Sequence, residues 1–123
     1  MAKVVSLPAS RRRPWGQYAG YRVLVVDGRF VRDHIDIDFV LGGNGYRYPD
    51  FIPKDEIWID DAVARRELVV TMVHEIAEAE LMRQGKPYEE AHEIANVYER
   101  RARALAIAAR AQRAAAAKER KSA

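Results

Sequence analysis

Tyr21 to Asp27 (YRVLVVD) is dense in β-branched and aromatic residues and closes on Asp27-Gly28, a two-residue hairpin signal, so a strand running into a hairpin is predicted there. In the next run Ile35, Ile37, Phe39 and Leu41 alternate with the polar His34, Asp36 and Asp38, the period-two pattern of a strand with one buried face. Gly42-Gly43-Asn44-Gly45 is expected to break that strand. A Tyr- and Pro-rich loop then runs through Pro53, and Glu56 to Asp60 (EIWID) reads as a third short strand. Residues 1–20 lack periodicity and contain Pro8, Pro14, Gly16 and Gly20, which predicts a mobile arm.

The period then changes. Asp60 or Asp61 is placed to cap a helix, because an Asp side chain accepts from the free N–H groups of a first turn. The helix is expected to reach about Gln84, where Gly85 supplies a stop and Pro87 suits the first turn of a second helix. The first helix would turn Val69, Val70, Val73, Ile76 and Ala77 to the core, with His74 and Glu78 along the border of that stripe. Tyr88, Ala91, Ile94, Ala95, Tyr98, Ala102 and Leu105 recur at helical spacing on the second. Beyond Leu105 the chain is rich in Ala, Arg and Lys; helix propensity is high but nothing larger than Ala remains to bury beyond Ile107, so fraying is expected. The predicted fold is α+β: a small antiparallel sheet of about three strands packed on an antiparallel helical hairpin. It spans residues 21–110, between an arm at 1–20 and a basic Ala-rich tail at 111–123.

Composition narrows the chemistry. Zero cysteines exclude a disulfide framework, a thiol nucleophile and thiolate-ligated zinc or iron–sulfur sites, so a protein-bound metal must use His, Asp or Glu. No apolar run approaches the roughly 20 residues needed to cross a bilayer, and the apolar patch of MAKVVSLPASRRRPW precedes its charges, the wrong order for a secretory signal. A cytoplasmic protein without a membrane partner is the expectation. The Gly42–Gly45 cluster lacks the Lys and the following helix of a phosphate-binding loop, which removes that nucleotide motif. The net charge of +3 hides an uneven distribution: cations gather at Arg11–Arg13 and from Arg100 to Lys121, while the middle of the chain is acidic. Such runs are usually solvated faces, though they can also meet phosphates.

One constellation carries chemistry. His74 and Glu78 are four residues apart on the first helix and therefore point at a common spot, the convergence that a metal held by nitrogen and carboxylate oxygen requires. Glu75 is rotated about 100° away, where it reaches a water beside the metal without being a ligand. Glu78 lies seven residues before Gly85 and His92 seven after, so in a tight antiparallel hairpin the two are level, and His74 is level with Asn96. His74, Glu78 and His92 then form a two-His, one-carboxylate set with an open position, which suits zinc, with Glu75 as general base. Glu80 falls inside the apolar arc, either as a carboxylate orienting a ligand His or because the helix is ending.

His74-Glu75-x-x-Glu78 on a helix that follows the strand at Glu56–Asp60 resembles the core of zincin-type metallopeptidases, over roughly residues 56–99. In that family's H-E-x-x-H motif the two His are ligands and the Glu is the general base. Carried over, His74 is the first ligand and Glu75 the base. Position 78 departs, being Glu, and His92 restores a second imidazole. The resemblance implies zinc-dependent hydrolysis of a peptide or amide bond in a peptide or protein substrate. It also implies a strand, here Glu56–Asp60, offering its edge to an extended peptide, and a likeness to compact zincin-like proteins of phages and mobile elements. Two other readings stand beside it. Glu89-x-x-His92 matches an element of di-iron helical bundles. A non-catalytic module would instead bind an acidic partner or nucleic acid through Arg100–Lys121.

Overall fold

A computed structural model describes residues 6–122; the arm expectation at positions 1–5 and the tail expectation at position 123 lie outside the described residues. After a single 3-10 turn at Ala9–Arg11 the elements are β1 (Arg12–Tyr18), β2 (Tyr21–Val26), α1 (Gly28–His34), β3 (Gly42–Asn44), β4 (Glu56–Asp60), α2 (Arg65–Arg83) and α3 (Tyr88–Ser122). The fold is α+β, with a four-stranded sheet of order β1-β2-β4-β3. β1 and β3 lie antiparallel to their neighbours, but β2 and β4 are parallel, so the sheet is mixed rather than antiparallel. A parallel pair needs a crossover rather than a hairpin, and α1 with the segment up to Asp55 provides it.

Three strand expectations change for physical reasons. Residues 12–18, expected in the arm, form β1, because Ala19 and Gly20 both take positive φ (53° and 85°) and make the two-residue turn that matches strand twist. Pro14 is tolerated since β1 is an edge strand, and Trp15 is the extra residue of a bulge between Pro14 and Gly16. Asp27-Gly28 makes no hairpin: the Asp27 carboxylate accepts from Phe30 N at 3.0 Å and caps α1. Residues 35–41 are irregular rather than a strand. Phe39 is fully buried beside Trp58 and Ile52, whereas Ile37, Val40 and Leu41 are exposed. An alternation of apolar residues signals a strand only if a neighbour pairs with it, and the neighbouring position beside β4 is taken by Gly42–Asn44.

β4 forms where expected, but inside the sheet, buried along its whole length between β2 and β3, so it has no free edge for a peptide. Both sheet faces are covered, which explains near-continuous apolar runs in β2 and β4. Val23, Val25, Ile57 and Ile59 meet Leu68, Met72 and Ala79 of α2. On the opposite face Val26 and Trp58 pack with Val31, Phe39 and Ile52.

α2 begins at Arg65 with Ala64 in the capping position and no side-chain cap. Asp60 is used otherwise, accepting from Arg32 Nη1 at 2.7 Å and from Ala62 N at 2.9 Å. Gly85 ends the hairpin turn at φ 102°, a conformation that penalises any residue with a Cβ. α3 lies antiparallel to α2, as Glu78–His92 near the turn and Glu67–Arg103 far from it show. It then continues as unbroken helix to Ser122 instead of fraying after Leu105. No helix among the described residues is long and apolar enough to cross a membrane.

Candidate metal centre

α2 is covered twice, by the sheet and by α3, and that decides which of its residues are buried. Leu68, Val70 and Met72 go inside together with His74, Glu75 and Glu78, while Val69 of the expected stripe is half exposed. The polar residues that a single-faced helix would hold at its border are therefore buried. Gly42 on β3 permits close approach of α2, since a Cβ there would lie 3.3 Å from Glu75 Cγ and from Thr71 Cγ2.

His74, Glu78 and His92 come together, with one ligand-type atom from each within 4.8 Å of the others. His74 Nε2 lies 3.1 Å and His92 Nδ1 2.9 Å from the same oxygen, Glu78 Oε2. The imidazole rings meet edge to face with centroids 4.9 Å apart. Donor atoms around a tetrahedral zinc with bonds of about 2.0–2.1 Å sit about 3.3 Å from one another. The two distances to Glu78 need open by only a few tenths of an ångström to admit such an ion.

The second nitrogen of His74 makes a sharper test of fit. Nδ1 is buried and lies 3.0 Å from Glu99 Oε1, yet off the hydrogen-bond direction, so it has no hydrogen-bond partner. A neutral imidazole has one N–H. Whichever nitrogen carries it, the lone pair of the other faces a carboxylate, Glu78 or Glu99. An imidazolium, a protonated carboxyl donating to the free lone pair, or a cation on the Nε2 lone pair each removes the conflict. The residues thus fit a metal: His74 bound through Nε2 would carry its N–H on Nδ1, opposite Glu99, the carboxylate–histidine arrangement found beside zinc. Glu99 is held in turn by Arg103 Nη2 at 3.2 Å, and the same nitrogen donates to Glu67 at 2.7 Å.

Without a cation the electrostatic cost falls on Glu75, while Glu78 and the imidazoles stabilise one another. Burial, then the neighbouring Glu78 charge, pushes the Glu75 carboxyl up to about 8. Burial would raise Glu78 as well, but its hydrogen bonds with His74 and His92 outweigh this and hold it below the usual carboxylate range. Burial would lower His74; the bond to Glu78 and the charges of Glu75, Glu78 and Glu99 win, and its pKa rises.

Asn44 was missed by sequence reasoning, which treated its glycine-rich surroundings as a strand break. It is fully buried at the end of β3. Its Oδ1 accepts from Tyr46 N and Arg47 N, both at 3.0 Å, which leaves Nδ2 to donate to Glu75 Oε1 and Glu78 Oε1, both at 3.2 Å. One amide therefore spaces two carboxylates. An Asn between glycines reads as a turn, and nothing local reveals a partner thirty-one residues away. Glu80 is a structural residue: it accepts from Tyr21 Oη at 2.6 Å and pairs with Arg83 at 2.9 Å, far from the imidazoles' shared oxygen in role. Glu89 is exposed and joins no metal-ligating group among the described residues, and Asn96 lines the cleft rather than touching His74 through a hydrogen bond.

A cleft of about 420 Å³ runs between α2, α3 and the β3 approach, and His74, Glu75, His92 and Glu99 reach its wall. Val40, Leu41 and Val63 give it an apolar side. The cluster can hold a divalent cation, and Glu75, beside it, can take a proton. Comparison with family models, with curated proteins and with solved structures finds no match to this chain.

Proposed function

We propose that the protein is a zinc-dependent hydrolase acting on a peptide or amide bond. The supporting observation is the convergence of His74 Nε2, His92 Nδ1 and Glu78 Oε2, with a second carboxylate, Glu99, against the remaining nitrogen of His74. Zinc held by His74, Glu78 and His92 would polarise a carbonyl and acidify water in the cleft. Glu75 takes the proton from the attacking water and returns it to the leaving nitrogen. Asn44 keeps Glu75 apart from Glu78 so that only one carboxylate is committed to the metal. Val40, Leu41 and Val63 favour a substrate with an apolar side chain beside the cleaved bond. β3 is the sheet strand nearest the cleft, but its three residues are all buried, so the cleft wall at Val40, Leu41 and Val63, rather than a free strand edge, would position the substrate.

The test is hydrolysis of a mixed library of fluorescence-quenched peptides by zinc-loaded protein. Glu75→Gln is expected to keep the metal and lose activity by about 100-fold or more. Equal activity of wild type and Glu75→Gln would remove the general-base role, and no turnover of any peptide by zinc-loaded protein would remove the peptidase reading.

A further inference from the structure

Among the described residues, the last part of α3, from residue 104 on, contributes nothing to either core cluster, and of its cations only Arg110 is half-buried. α2 begins at Arg65, and the ion pair of Arg103 with Glu67 marks the end of the region where the two helices face each other. From there α3 runs on for nineteen residues to Ser122, about 28 Å of helix at 1.5 Å per residue. Leu105 and Ile107 are exposed, and no residue after Ile107 is apolar and larger than Ala.

Its charges are one-sided. Residues 104–122 hold five cations, Arg110, Arg113, Lys118, Arg120 and Lys121, against one carboxylate, Glu119. At 100° per residue the five cations fall within an arc of about 160°, and Glu119 points to the opposite side. None of the five forms an ion pair among the described residues, whereas Arg103, nearer the core, is fully engaged with Glu67 and Glu99. Arg65 and Arg66 add exposed cations at the end of the hairpin from which this helix leaves.

We infer that residues 104–122 form a docking helix for duplex DNA, contacting phosphates from its cationic arc. The charge sign and arrangement suit a polyanion, and the slender Ala-rich shaft suits a groove about 12 Å wide, the major groove of B-form DNA. The deep, narrow major groove of duplex RNA excludes a helix. A bilayer or an apolar protein groove would need large apolar side chains repeated along the helix, and this segment has only Leu105 and Ile107, both in its first turn. The inference does not depend on the metal centre.

The experiment is fluorescence anisotropy of a labelled 20-base-pair mixed-sequence DNA with full-length protein, at 50 and 200 mM salt. Neutralising four to five phosphates predicts binding about 100- to 500-fold weaker at the higher salt. A variant with all five cations changed to Gln, checked for retained helix by circular dichroism, is expected to lose affinity by at least about 100-fold at 50 mM salt. His74→Ala should bind DNA as wild type does. Binding by the five-fold variant within about threefold of wild type would overturn the inference. So would equal competition, charge for charge, by polyglutamate or by anionic lipid vesicles, which would assign the helix to another acidic partner.

Discussion

His74 Nδ1 lies 3.0 Å from Glu99 Oε1, across the two helices of the hairpin, and no hydrogen bond joins them. The contact turns neighbouring carboxylates into a constraint on the imidazole's proton. With Nε2 on a metal, the N–H must sit on Nδ1 and the short turn of the ring that brings it in line with Glu99 becomes favourable. Glu99→Gln is therefore expected to weaken zinc binding about 10- to 100-fold, the usual effect of removing a carboxylate that orients a ligand His. Competition against a chromogenic chelator measures it, and unchanged affinity would show that Glu99 has no such role.

Asn44 links the strand to both buried carboxylates. Replacing it with Ala strands two backbone N–H groups and withdraws two donations at once. A loss of about 2–4 kcal/mol in urea unfolding is expected. Asn44→Asp should be worse at pH 8 than at pH 5, because it sets a third carboxylate beside Glu75 and Glu78. A fully stable Asn44→Ala protein would contradict the hydrogen-bonding arrangement.

Metal-free protein should lose stability as pH rises. A Glu75 carboxyl at about 8 when folded, against 4.5 when unfolded, binds more protons in the folded state, so its contribution is full below the unfolded value and declines between pH 4.5 and 8. The raised His74 acts in the same direction, being lost as pH climbs through its folded value. Glu78, held low, acts oppositely and is lost only under more acid conditions. The Glu75 shift sets an upper bound of about 5 kcal/mol, and relaxation around the group brings the expected decline to about 2–3 kcal/mol. Urea unfolding of chelator-treated protein at pH 5 and pH 8 measures it. Glu75→Gln should flatten the dependence; the same slope in the variant would assign it elsewhere.

The projecting part of α3 should be dispensable for stability. A chain ending at Ala109 keeps the Arg103 contacts to Glu67 and Glu99 and all of the packed hairpin. Its urea midpoint is expected to match wild type within about 0.5 kcal/mol. A larger loss would mean that the segment packs on the domain.

Local signals served the hairpin well. Gly85, Pro87 and the seven-residue spacings on either side of the turn place Glu78 opposite His92, because antiparallel helices joined by a short turn have nearly fixed register. The strand Tyr21–Val26 and the strand Glu56–Asp60 were legible from β-branched runs, but their parallel pairing was not, since it depends on where a crossover leads the chain. Asp27-Gly28 fits a hairpin turn and a helix cap equally, and only the following residues' tertiary partners decide. Burial of His74 and Glu78 escaped the helical wheel because a wheel assumes one covered face, and α2 has two. Glu99 lay one turn beyond Asn96, the residue that simple level-counting places opposite His74.

The most direct test is metal content by elemental mass spectrometry on untagged protein, comparing wild type with His74→Ala. About one zinc per chain in wild type and none in the variant is the predicted result. No bound metal, and no tight uptake when zinc is supplied, would contradict a metal centre at His74, Glu78 and His92 and leave the three as a buried hydrogen-bonded cluster.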